Sequence, residues 1–207
     1  MGYGLAVSPL DEEREAIALD VRRRGYGPDA EAKAMEFADA TAAIVLGGFR
    51  EGHDRLEAVR AKYAGEPWFR VVHGGVTHVL LETPAAQLRE LGPQLLAGVP
   101  WQYDPLPVLR NLDPPQLWLL GADDVDAPSA ETARRLGALA AQGRPITIAQ
   151  FPGAEHGLYE YETAPDGSRL STRAAAGSFA ALRDFALRGR LEGAYGAALV
   201  TGAALPR

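Results

Sequence analysis

Two short apolar runs separated by one helix-length segment constrain this chain more than any other feature of its 207 residues. The first, Gln116-Leu117-Trp118-Leu119-Leu120, follows Pro114-Pro115, and predicts a strand buried on both faces as in a parallel sheet. The second, Ile146 to Phe151, reads as another strand. Between them Ser129 is placed to cap a helix that carries Ala133, Leu136 and Leu139 and ends near Gly143. This is a βαβ unit, whose strands run parallel. The Asp-rich loop Gly121 to Pro128 and the loop Pro152 to Gly157 therefore leave the same carboxyl edge of the sheet, where open α/β sheets place their sites. An aspartate of the first loop and His156 of the second can meet there.

A buried carboxylate beside an imidazole fixes the ring tautomer and stabilises the imidazolium formed when histidine acts as a base. The residues Leu119-Leu120-Gly121-Ala122-Asp123-Asp124-Val125-Asp126-Ala127-Pro128 are followed, 32 positions after Asp124, by His156 in Phe151-Pro152-Gly153-Ala154-Glu155-His156-Gly157-Leu158. Together they resemble the last part of the α/β-hydrolase fold, most of all the serine esterases and prolyl-oligopeptidase-type peptidases. The resemblance runs from about Tyr103 to about Tyr195 and includes Tyr103-Asp104-Pro105. It implies Asp124, three residues after the strand-end glycine and four before a proline, as the acid, and His156 of P-G-x-x-H-G as the base. It also implies a Ser-Asp-His triad in that chain order, with the serine on a G-x-S-x-G elbow upstream.

No G-x-S-x-G occurs in the sequence. Ser8 alone precedes Asp124; Ser129, Ser168, Ser171 and Ser178 follow it. Ser8 fails chemically as well, because the residue after the nucleophile must offer an N–H to the oxyanion hole and Pro9 has none. The expectation is a C-terminal portion of an α/β-hydrolase: parallel strands with flanking helices, and a helical lid-like insertion in the N-terminal half. Acid and base are present and the nucleophile is missing, so the chain alone is expected to be inactive toward carboxylic esters or peptide bonds. Residues 1–10 would be a core strand, 11–103 the lid-like segment and 104–207 the hydrolase core portion. The competing reading is a non-catalytic interaction protein, or a relict, that completes another chain's sheet. An incomplete parallel sheet leaves a strand edge open, and self-association follows.

The first half reads as helices. Ser8-Pro9-Leu10-Asp11 is a start signal, Asp11, Glu12 and Glu13 fill the opening turn, Arg22 to Arg24 the closing one, and Gly25 stops it. Leu10, Ile17 and Val21 share one face. A second helix is expected from Pro28 to Leu46, and a third carries Leu56, Val59 and Tyr63 before Gly65. Trp68 to Val72 is read as a strand, and Ala85 to Leu96 as a helix interrupted at Gly92-Pro93. Near the other end, Arg169 and Arg173 flank a hairpin-like turn at Asp166-Gly167-Ser168, and Ala174 to Leu187 forms a last helix. The Ala- and Gly-rich tail beyond Gly189 is expected to be poorly ordered.

Other residues are weighed against plainer roles. Asp123 and Asp126 stand as alternatives to Asp124, and all three suit a solvated turn before the helix from Ser129. An EF-hand metal loop needs a glycine after its third ligand and a glutamate at its twelfth position; Ala127 and Pro128 break it. His73-Gly74-Gly75 resembles the oxyanion loop of lipases but lies after the lid helices, where a plain turn is expected. His73 and His78 are badly spaced for a shared metal. His53 reads as a helix-surface residue, and Trp101, Tyr103, Tyr159 and Tyr161 as pocket lining or core. A formal charge of −6 without a basic cluster argues against nucleic acid, and no apolar run is long enough to span a membrane. The absence of cysteine excludes disulfides, thiolate chemistry and Cys-based zinc sites, and fits a cytoplasmic protein. No cofactor is implied.

Overall fold

The computed structural model describes residues 5–71, 74–165 and 168–202. The chain is mixed α/β and divides into two compact units, one of residues 8–103 and one of residues 5–7 with 104–202. No helix among the described residues is long and apolar enough to cross a membrane.

The unit of residues 8–103 is helical because its apolar residues recur at helical spacing between local stop signals. Helix α1 spans Pro9–Arg23, with the Ser8 hydroxyl accepting from the Asp11 N–H at 3.1 Å. It buries Ile17 and Val21 against α2, Pro28–Leu46, whose Ala34, Phe37, Ala38, Thr41 and Ile44 share one stripe. Helices α3 (His53–Tyr63), α4 (Val76–Glu82) and α5 (Ala85–Leu95) complete the unit around Phe37, Trp68 and Leu80.

Three expectations are corrected here. Pro67–Val71 is a 3₁₀ turn, not a strand, and Val72 lies outside the described residues. A strand would send Trp68 and Phe69 to opposite faces, whereas both join one aromatic cluster: Phe69 lies 5.2 Å from Phe37 and Trp68 lies 5.3 Å from Tyr63, ring centre to ring centre. His53 is buried, not on the surface, and its Nε2 donates to the Phe49 carbonyl at 2.9 Å. Helix α5 continues through Gly92-Pro93, and Gly92 lies against the Phe49 ring, where a Cβ would sit 2.5 Å from Cγ.

In the other unit, α6 (Leu106–Asn111) precedes β1 (Gln116–Gly121), α7 (Ala130–Ala141) and β2 (Ile146–Phe151). Strands β1 and β2 are parallel, in register from Gln116↔Ile146 to Gly121↔Phe151. Next come a hairpin of β3 (Tyr159–Thr163) and β4 (Arg169–Ala174), helix α8 (Ser178–Arg188) and β5 (Leu199–Gly202). Sheet order is β1-β2-β5. Leu136, Leu139, Ile146 and Ile148 pack one side of it, and Ala149, Phe151, Ala181 and Tyr195 the other.

The sheet is mixed rather than wholly parallel. The tail expected to be poorly ordered contributes β5, which pairs antiparallel with β2 from Thr147↔Gly202 to Gln150↔Leu199. Gly202 permits the pairing: a Cβ would lie 2.7 Å from the Ile146 carbonyl oxygen. Residues 116–119 are half-buried, not fully buried, because β1 is the edge of the sheet among the described residues. The expected core strand over residues 1–10 is not formed by its described part. Ala6 is fully buried but donates to Thr132 Oγ1 at 3.2 Å and accepts from Arg135, while Pro9 and Leu10 open α1. Residues 1–4 lie outside the described residues. The last helix starts at Ser178, since Ala174 belongs to β4; the turn residues Asp166 and Gly167 lie outside the described residues.

Candidate functional site

The site forms where the two parallel strands end. Past Gly121 the chain stays paired for two more residues: Ala122 donates to the Phe151 carbonyl and Asp123 to that of Ala154, both at 3.0 Å. A Cβ on Gly121 would lie 2.6 Å from the Glu155 carbonyl oxygen and 2.7 Å from that of Ala154, so only glycine lets the histidine loop cross this close. The Ser129 hydroxyl donates to the Gly121 carbonyl at 2.7 Å. It makes no cap bond to α7, which departs from the capping role expected of it.

Asp124, 9% exposed, closes the turn on itself. Its Oδ1 accepts from the N–H groups of Asp126 at 3.0 Å and Ala127 at 2.8 Å. Its Oδ2 lies 3.0 Å from Nδ1 of His156. Burial of a carboxylate demands such partners, and two backbone donors on one oxygen aim the other at the ring. His156 begins a single 3₁₀ turn, His156–Leu158, in which Gly157 has φ 75° and Leu158 φ 63°. A leucine in the left-handed region is strained, and it is held there by Ala175 N–H donating to its carbonyl at 2.8 Å.

The His156 side chain is 41% exposed, against 11% for that of Asp124. The imidazole is thus reachable from solvent while its partner is not. A carboxylate accepts only from a protonated nitrogen, so the bond to Asp124 places a proton on Nδ1. The arrangement can orient an imidazole, accept a proton at Nε2 and stabilise the resulting cation.

Of the three aspartates, Asp124 alone is hydrogen-bonded to His156 among the described contacts; Asp123 instead accepts from the Tyr161 hydroxyl at 3.0 Å. Asp126 is exposed, and ligand-capable atoms of Asp124, Asp126 and His156 lie within 4.8 Å of one another. That trio makes a poor cation site, since both Asp124 oxygens already accept hydrogen bonds. The hydroxyls of Ser129 and Ser171 are donated to Gly121 and Glu155.

His73 of the His-Gly-Gly motif lies outside the described residues. The amides after it are occupied within the helical unit: Oε2 of Glu13 accepts from Gly75 at 2.8 Å and Val76 at 3.0 Å, and its Oε1 from Thr77 at 2.7 Å. A carboxylate of the chain itself takes the donors that an oxyanion would need. Sequence reasoning missed this pairing, and it missed the contacts of Tyr161 and Arg169 with Asp123, although Tyr159 and Tyr161 at strand spacing beside the histidine loop were a signal of a face turned toward it. No protein-family model, curated protein or solved structure matches the chain.

Proposed function

We propose that the chain supplies the acid and the base of a serine-hydrolase-type reaction on carboxylic esters or peptide bonds, the nucleophilic hydroxyl coming from another polypeptide segment. The fold would then be the C-terminal portion of an α/β-hydrolase. One observation carries the reading: a nearly buried carboxylate, fixed by two backbone amides, accepts from Nδ1 of a solvent-reachable histidine at the carboxyl edge of two parallel strands. His156 Nε2 takes the proton of the hydroxyl as its oxygen attacks the carbonyl carbon, and Asp124 stabilises the imidazolium. His156 then returns that proton to the departing alcohol or amine. Water attacks the acyl intermediate by the same proton route and releases the acid.

The test is hydrolysis of p-nitrophenyl acetate by the purified chain, beside labelling with a serine-directed phosphonate. Without the other segment's hydroxyl we expect only the slow rate of an imidazole acting directly on this activated ester, abolished by His156→Ala and lowered about tenfold by Asp124→Asn, with no phosphonate adduct. Rates indifferent to both substitutions overturn the reading. An adduct lost in His156→Ala would put the nucleophile in this chain.

A second reading, a non-catalytic partner that completes another sheet, is favoured by one feature: among the described residues β1 is paired on only one side, in the order β1-β2-β5. It predicts self-association above the mass of one chain in size-exclusion with light scattering. A monomer at all concentrations counts against it.

A further inference from the structure

The β3–β4 hairpin grips both loops that carry the Asp124–His156 pair. On the aspartate loop, the Tyr161 hydroxyl donates to the Asp123 carboxylate at 3.0 Å, and Arg169 Nη1 donates to the Asp123 backbone carbonyl. The Arg169 guanidinium lies 3.9 Å from the centre of the Tyr161 ring, which joins the two grips into one cation–π unit. On the histidine loop, the Ser171 hydroxyl donates to the Glu155 carboxylate, the Glu155 N–H donates to the Tyr159 carbonyl at 2.8 Å, and Ala154 bridges to Glu160. Asp123 immediately precedes Asp124, and Glu155 immediately precedes His156.

Loops at strand ends open at lower free energy than the strands they leave, and a hydrogen bond of this length fails with a shift of about half an ångström. The backbone bond from Asp123 to the Ala154 carbonyl joins the two loops directly, and Asp124 and His156 lie beyond that tie, where further contacts must fix their spacing. Resting on the reading of the pair given above, we infer that the hairpin is a positioning brace: Tyr161 and Arg169 acting through Asp123, and Ser171 acting through Glu155, set the separation that keeps Asp124 on Nδ1 of His156. The register supports a single rigid device, because Tyr161 stands opposite Ser171 on the two strands, so the two grips share one rung.

The test uses the full chain with ¹⁵N-labelled histidine and reads the His156 tautomer from its ring nitrogen shifts, at a pH where the ring is neutral; His156→Ala assigns the signal. A free imidazole side chain prefers the proton on Nε2, and the intact pair holds it on Nδ1. Tyr161→Phe and Arg169→Met are each expected to shift the tautomer ratio toward Nε2–H by about five- to tenfold, with little change in melting temperature. Arg169→Lys keeps a cation over the ring and recovers part of the shift. The exposed Ser171→Ala is expected to give a smaller shift of the same sign and serves if the other variants fold poorly. An unchanged ratio with a lowered melting temperature would mean that the hairpin is only structural. Asp124→Asn separates the two ideas. If it moves the ratio while the hairpin variants do not, the brace fails alone; if it moves nothing, the pair fails and the brace with it.

Discussion

Among the described residues each unit buries one carboxylate to the same depth, Glu13 in the helical unit and Asp124 in the α/β unit, both 9% exposed. They meet the cost of burial differently. Glu13 spends both oxygens on three consecutive backbone amides, those of Gly75, Val76 and Thr77, at the start of α4. Asp124 spends one oxygen on two amides of its own turn and turns the other to an imidazole. A carboxylate saturated by fixed backbone donors has no proton chemistry left and does structural work. A carboxylate with one oxygen on a side chain that can gain and lose a proton couples burial to protonation. Burial alone does not tell the two apart; the partner of the last oxygen does.

The largest expected effect breaks the saturated case. Glu13→Ala leaves three amide donors unpaired, and we expect it to lower the unfolding free energy by about 3 kcal/mol in urea titrations followed by circular dichroism. Gly74→Ala attacks the same contact from the other side. Its φ is +58° and its Cβ would lie 2.3 Å from a Glu13 carboxylate oxygen, so a loss of about 2 kcal/mol is expected. Asp124→Ala should cost less stability, about 1–2 kcal/mol, because its turn can rehydrate at the rim, while it removes the His156-dependent ester rate. Equal losses for Glu13→Ala and Asp124→Ala, with the ester rate intact, would erase the distinction.

The same contrast explains what could be read from sequence. Where local chemistry sets the outcome, the residues announce it: Ser8-Pro9-Leu10-Asp11 opens α1, and Gly25 follows its end. The Asp124 and His156 loops were legible because a βαβ unit sends both to one sheet edge whatever else the chain does. Outcomes set by distant partners were not legible. Nothing near Glu13 signals amides 62 residues away. Trp68 and Phe69 resemble a strand until Phe37 and Tyr63 are placed beside them. His53 is an exception, because its partner, the Phe49 carbonyl, is only four residues back; what spacing alone does not show is that this turn is buried. The tail looks unstructured by composition, and β5 exists because β2 offers an edge to it. Tyr161 and Arg169 belong with these, since their tie to Asp123 spans 38 and 46 residues.

A third carboxylate sharpens the comparison at its weak end. Glu131, in the first turn of α7, is bound by side chains at the surface: Arg134 Nε and Nη2 donate to it at 2.6 Å, and Arg135 Nε at 2.8 Å. The hydrogen bonds from Arg134, then those from Arg135, hold its carboxyl down from 4.5 to about 2. A depressed folded value means that the ionised form favours the native state, so this contribution is complete above about pH 4.5 and is lost as pH falls toward 2. Its Arg134 partner is 68% exposed, so solvent screening keeps the effect below about 1 kcal/mol. The check is the urea midpoint of the native chain against Glu131→Gln across that range, where the difference should close steadily on acidification. A difference unchanged between neutral pH and the acid end would show that Glu131 acts through packing rather than through its charge.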